Sequence, residues 1–135
     1  RAAQFAETLI ASTDSEVWHQ LYGNTPETYH QQDATIDRQR FVINAFTRMR
    51  FCDADAALNF THVGAEGTQP ESLMPWYRCP ERKHLTEDLV FGHWAALRGE
   101  VGAAGIHAVD TGCAWGEALT AWRVSDQKRL TVPYQ

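Results

Sequence analysis

Leu89-Val90-Phe91-Gly92-His93-Trp94-Ala95 and Ile106-His107-Ala108-Val109-Asp110-Thr111-Gly112-Cys113-Ala114-Trp115-Gly116 decide how this chain folds. Each is a short apolar run halted by a polar turn, the first at Gly-His and the second at Asp-Thr-Gly. That pattern predicts two buried strands whose polar ends meet at one edge. Gly92 is expected to supply the sharp turn that leaves His93 at the carboxyl end of its strand. Further on, residues 119–124 and 130–132 are also strand-like, and Gly-rich turns are expected between the strands, so the last third of the chain reads as strands.

Upstream the period changes. Phe5, Ala6, Leu9 and Ile10 recur on one face of a helix over residues 1–11. Ser12, Thr13 and Asp14 offer caps for a second helix with the apolar face Val17, Trp18, Leu21 and Tyr22, which Gly23 is placed to end. After a polar connection over 24–34, a third helix is predicted over 36–49. Phe41, Asn44, Ala45 and Arg48 lie along one line of it, and Val42, Phe46 and Met49 along another. It carries Arg38, Arg40, Arg48 and Arg50. Phe51-Cys52 and Leu58-Asn59-Phe60 flank Asp53-Ala54-Asp55 and predict a short hairpin. Residues 64–80, rich in Gly, Pro and Glu, read as an extended surface loop interrupted by Trp76-Tyr77. Helices first and strands after give an α+β layout.

Composition narrows the class. A chain of 135 residues is long enough for one domain with a real core. Hydrophobic content of 44% against 21% charged places it among soluble globular proteins, and five Trp, six Phe and four Tyr predict a packed core or a lined cleft. The net charge of −5 argues against binding a nucleic-acid polymer, where Lys and Arg must neutralise phosphates. Cys52, Cys79 and Cys113 form no Cys-x-x-Cys pair. Their spacing fits a reducing cytoplasm and excludes a four-Cys zinc site. No run of about 18 apolar residues exists, so neither a membrane span nor a membrane partner is expected, and no signal peptide is expected. The chain opens at Arg1, without Met and directly into a helical pattern, so residues upstream of it are expected.

Several residues could carry chemistry. An imidazole at a strand end is a metal-ligand geometry, so His93 is either a ligand or a histidine hydrogen-bonded at the end of its strand. One imidazole does not hold a catalytic metal, which needs about three protein ligands. Asp110 either orients a metal-bound histidine from behind or caps its strand through an Asx turn. Arg48 and Arg50 form either a fork for phosphate oxygens or a solvated helix end. Trp76 and Tyr77 either stack on a nucleobase or pack down on the core. His19, His30, His84 and His107 read as structural or solvated, and no good strand precedes His62-Val63-Gly64. There is no Gly-rich phosphate loop, Ser-His-Asp spacing or paired-histidine helix.

Taken together, three segments resemble the C-terminal half of the bacterial symmetrical bis(5′-nucleosyl)-tetraphosphatases, a family of calcineurin-like metallophosphoesterases. They are Asp37-Arg38 through Asn44-Ala45-Phe46-Thr47-Arg48-Met49-Arg50-Phe51-Cys52; Val90-Phe91-Gly92-His93-Trp94-Ala95; and Asp110-Thr111-Gly112-Cys113-Ala114-Trp115-Gly116 with Leu119-Thr120. Pro75-Trp76-Tyr77 and Leu21-Tyr22-Gly23 fit the same family.

The resemblance implies a four-layer αββα sandwich. Residues 1–80 would be its helical cap or substrate subdomain, with the hairpin and loop, and residues 81–135 its closing strands. It implies two divalent metal ions, manganese or cobalt, and hydrolysis of diadenosine tetraphosphate into two ADP. His93 matches the family's Gly-His metal ligand. Arg48 and Arg50 become polyphosphate contacts, Trp76 an adenine neighbour, and Asp110 the carboxylate behind the metal ligand. The family's other ligands sit in Gly-Asp-x-His-Gly, Gly-Asp-x-x-x-x-Arg-Gly, Gly-Asn-His-Asp and His-Ala-Gly motifs, expected upstream of Arg1. This chain has no Gly-Asp, and its one Gly-Asn, Gly23-Asn24, continues with Thr25. No catalytic residue is therefore expected within it; alone it should be inactive, and it is expected to dimerise or to associate with the missing N-terminal half. The alternative is a non-catalytic nucleotide- or protein-binding domain derived from that fold.

Overall fold

A three-residue parallel pairing organises the second half of the molecule. In this computed structural model, which describes residues 2–11 and 15–135, β4 (Leu89–Phe91) lies parallel to β5 (Ile106–Ala108), with Phe91 opposite Ala108. Parallel strands end on the same side, so the Gly-His and Asp-Thr-Gly turns do meet at one edge. Burial divides the two strands. Ile106 and Ala108 are buried, whereas Val90 is 43% exposed, because β4 pairs with β5 alone among the described residues. The expectation that both strands would be buried is corrected for β4.

The first half is helical. α1 (Ala2–Ile10) and α2 (Ser15–Leu21) pack on α3 (Thr35–Arg48). Of the face expected on α1, Ala6 and Leu9 are buried while Phe5 and Ile10 are exposed. On α2 Leu21 is buried, and the expected Tyr22 points to solvent. The caps expected at Ser12, Thr13 and Asp14, the start at Arg1 and the side chain of Val17 lie outside the described residues. A buried side chain, Asn44, ties α3 to the end of α2. Its Nδ2 donates to the carbonyls of Leu21 and Gly23, both at 3.2 Å, so the helix terminus does not leave its carbonyls unpaired.

β1 (Phe51–Cys52) forms the expected hairpin with β2 (Leu58–Asn59), and it is also flanked on its other side by β3 (Met74–Pro75). The surface loop expected over 64–80 is therefore corrected. Pro75, Trp76 and Tyr77 are buried, and the last two open a 3-10 turn over Trp76–Arg78. Packing overrides the polar composition of the segment because these rings complete the core. Phe51, Trp76, Tyr77, Trp94, Leu97, Ile106 and Ala108 form one buried cluster, drawn from both sides of residue 80. Its rings meet edge-on, Phe51 with Trp94 at 4.6 Å and Trp76 with Phe91 at 5.5 Å, the arrangement their quadrupoles favour.

β6 (Ala118–Arg123) and β7 (Lys128–Pro133) form an antiparallel hairpin, Ala118 opposite Pro133 through Arg123 opposite Lys128. A chain of hydroxyls joins it to the Asp-Thr-Gly turn: Thr111 bonds Thr120 at 2.8 Å, and Thr120 bonds Thr131 at 3.0 Å. Arg129 fastens it to the parallel pair, donating from Nη2 to the carbonyls of Gly99 and Ala108 at 2.8 and 2.7 Å. Every residue of β7 is exposed. No helix among the described residues is long and apolar enough to cross a membrane.

Candidate functional site

The edge where β4 and β5 end is the candidate site. After Phe91 the chain turns at His93, not at Gly92 as expected. His93 takes the left-handed conformation, with φ at 67°, a region that L side chains rarely adopt. The strain is held in place from across the molecule. Arg50, just past the end of α3, donates from Nη2 to the His93 carbonyl at 3.0 Å, and the 3-10 turn Ala95–Leu97 follows at once. The Trp94 indole is buried beneath, its Nε1 donating to the Gly64 carbonyl at 2.9 Å. These contacts leave the His93 imidazole exposed between two clefts.

One cleft, of about 240 Å³, is lined by His93, Arg50, Asp110, Gly112 and Trp115. The other, of about 360 Å³, is lined by His93, Gly92, Arg48, Met49, Trp76 and Phe46. All five residues expected to matter, His93, Asp110, Arg48, Arg50 and Trp76, thus line one or other of two clefts that share His93.

Their individual placements differ. Asp110 forms the Asx turn, its Oδ1 accepting from the Gly112 amide at 3.2 Å, and its charge also acts on His93. Burial is the largest influence on that imidazole and lowers its pKa below the ordinary 6.5. The Arg50 and Arg48 guanidinium groups lower it further, while Asp110 opposes them. The neutral ring, which can ligate a metal or accept a proton, is therefore favoured at neutral pH.

Arg50 and Arg48 do not form a fork. Arg50 lines the smaller cleft and keeps its Nε buried with no hydrogen-bond partner among the described residues. Arg48 turns away toward the α2–α3 junction. Its Nε donates to Asn44 Oδ1 at 2.8 Å, its Nη2 to the Gly23 carbonyl and to Asn24 Oδ1, and its guanidinium lies over the Phe60 and Tyr22 rings at 4.5 and 5.0 Å. Trp76 is mostly buried against Phe91 and Tyr77, with an edge in the cleft.

Two of the other histidines are occupied elsewhere. His107 stacks on Trp122 at 4.0 Å and sits 3.4 Å from Asp88, and His62 meets the edge of Phe51 and pairs with Thr68. Arg129 was not singled out in the sequence, yet it donates to the carbonyls of Gly99 and of Ala108 at the end of β5. Its position on an alternating strand gave no signal of that reach. Among the described residues no three His, Cys, Asp or Glu side chains converge. His93 and Asp110 by themselves do not compose a metal site.

No protein-family model matches the chain. It is 42% identical over 137 residues to the symmetrical bis(5′-nucleosyl)-tetraphosphatase of Legionella pneumophila subsp. pneumophila, an overlap of 98% of this chain and 50% of that protein. The protein of the same name from Coxiella burnetii is 44% identical over 115 residues, covering 85% of this chain and 40% of the relative. That from Aeromonas salmonicida is 42% identical over 135 residues, covering 97% and 48%. The chain spans about half the length of the curated relatives it matches, and it belongs to the symmetrical bis(5′-nucleosyl)-tetraphosphatase family.

Proposed function

We propose that this chain is the C-terminal half of a metal-dependent hydrolase that cleaves diadenosine tetraphosphate symmetrically into two ADP. The observation that carries the reading is identity of 42% sustained over 98% of the chain, with only half of the relative covered. On this reading residues 1–80 are the helical cap and residues 81–135 the closing strands of a four-layer αββα sandwich. His93 supplies one ligand to a site for two divalent ions, manganese or cobalt, whose remaining ligands belong to the other half. Such ions would neutralise charge building on the attacked phosphoryl group.

This chain's own residues would bind and orient. Arg50, on the wall of the smaller cleft, suits a polyphosphate oxygen, Arg48 lines the second cleft, and Trp76 offers an edge for a base. Asp110 would steady the imidazole. A cytoplasmic setting accords with three free cysteines.

The surface supports an absent companion. The chain exposes 8940 Å², against about 7,200 Å² expected for a folded monomer of this mass. Val90, Leu119, Leu130 and Val132 are among the exposed apolar side chains of the strands, a state monomers avoid. The second reading is a stand-alone nucleotide- or protein-binding domain derived from the same fold.

Product analysis separates the two. The complete protein from this reading frame, given diadenosine tetraphosphate and manganese, is expected to release ADP alone. ATP with AMP, or no hydrolysis at all, would overturn the proposal.

A further inference from the structure

Two of the chain's three cysteines and both of its methionines meet in one place. Cys52 is buried with Leu58 and Phe60, and Met49, Met74 and Cys79 pack against that cluster. Strand pairing brings them together. Cys52 on β1 stands directly opposite Met74 on β3, and opposite residues of an antiparallel pair project to the same face with Cβ atoms about 4.5–5.5 Å apart. Cys79 follows the 3-10 turn that begins at Trp76, and this return packs it against the Cys52 cluster. Both are free thiols. A cavity of about 310 Å³ opens onto Met49, Cys52 and Cys79, with Glu81, Arg82 and Lys83 also on its wall, so the buried sulfurs have an entrance.

The donor set is selective. Thiolate and thioether sulfurs are soft ligands that suit Cu(I), whereas magnesium, calcium and manganese prefer oxygen. Zinc asks for three or four nitrogen, thiolate or carboxylate ligands, and no three His, Cys, Asp or Glu groups converge among the described residues. We infer that Cys52, Cys79 and Met74, with Met49 beside them, form a binding site for a soft monovalent cation, Cu(I). Each thiol gives up its proton to solvent as its sulfur bonds the ion, and the copper stays Cu(I). The resulting bis-thiolate complex has one net negative charge, which Arg82 and Lys83 offset. Met49 and Trp76 line both this cavity and the larger His93 cleft, so an ion held here lies behind the shared wall of the candidate site. The sulfur site does not depend on the hydrolase reading.

The test is anaerobic titration of the reduced full chain with Cu(I) in competition with a chromophoric Cu(I) chelator, repeated with Ag(I) followed by native mass spectrometry. The expected result is uptake of a single equivalent of either ion. Cys79→Ser and Met74→Leu should each weaken uptake by at least about tenfold, given that even residues outside the ligand set change metal affinity by that much. Cys113→Ser should leave it unchanged. Cys79 is only half-buried and leucine matches methionine closely in volume, so both variants keep the fold, which circular dichroism checks. Failure to compete with the chelator, or uptake that either Cys79→Ser or Met74→Leu leaves unchanged, overturns the site.

Discussion

Arg50 holds His93 by its backbone: a guanidinium Nη2 at the end of the helical half donates to the carbonyl of the strand-end histidine at 3.0 Å, across 43 residues of sequence. The bond couples the two halves at the point where the imidazole is presented, and it fastens a residue in the left-handed conformation. Arg50→Ala should therefore cost about 1–2 kcal/mol of stability in a urea melt, the range for a hydrogen bond from a charged donor that is partly solvated. Unchanged stability would mean that the bond does not secure the turn.

The conformation of His93 separates folding from chemistry. Glycine accepts a φ of 67° freely, whereas a β-branched residue there is strained. His93→Gly is expected to stay within about 1 kcal/mol of the parent, while His93→Val loses about 1–2 kcal/mol. In the complete protein both should lose hydrolysis. Equal melting of the two variants would contradict the left-handed turn.

Protonation of His93 gives a further check. Burial first, then Arg50 and Arg48, set its folded pKa below the ordinary 6.5 despite Asp110. Between that lowered value and 6.5 the unfolded chain binds more protons at this site than the folded one, so the contribution to stability falls as pH drops through the window. NMR of the metal-free chain should place the His93 midpoint below 6.5, and Arg50→Ala should move it upward. A midpoint at or above 6.5 in the parent would show that the ring is not held in its neutral form.

Cys52 titrates in the opposite direction. Burial, with the Cys79 thiol beside it, pushes its pKa from 9.0 up to about 12. The protonated thiol is the form that the fold favours, so its stabilising contribution is complete below pH 9.0 and is lost as pH rises toward about 12. Because the thiolate is the reactive species, iodoacetamide at about pH 8.5 should label Cys113 and leave Cys52 intact, read by peptide mass spectrometry. Labelling of Cys52 at a similar rate would mean that it is neither buried nor protonated.

Local pattern carried much of this fold and little of the site's wiring. The period of α3 and the apolar alternation of β6 and β7 are written in neighbouring residues, so these elements are legible in the chain. β3 is not, because Met74-Pro75 pairs with β1 only once Trp76 and Tyr77 bury themselves against Phe91 and Trp94, a tertiary gain hidden inside a Gly- and Pro-rich stretch. The Gly-His edge was legible, but the left-handed residue is His93 rather than its glycine neighbour, because Arg50 pins the carbonyl from a distance. Arg48 and Arg50 look like one fork in the sequence. They part because Asn44 and the Gly23 and Asn24 turn claim Arg48 from within the helical half.

The exposed strands bear on assembly. With all of β7 and Val90 uncovered, sedimentation of the isolated chain should show a dimer or larger species, and a monomer across the micromolar range would contradict the missing-companion account.

The most direct measurement compares hydrolysis of diadenosine tetraphosphate, with manganese present, by the isolated 135-residue chain, by the complete protein, and by the complete protein carrying His93→Ala. The account predicts two ADP from the complete protein, none from the isolated chain, and a loss of at least about a hundredfold on His93→Ala, as removal of a metal ligand should exceed the effect of disturbing its support. Turnover by the isolated chain, or full activity of His93→Ala, would contradict it.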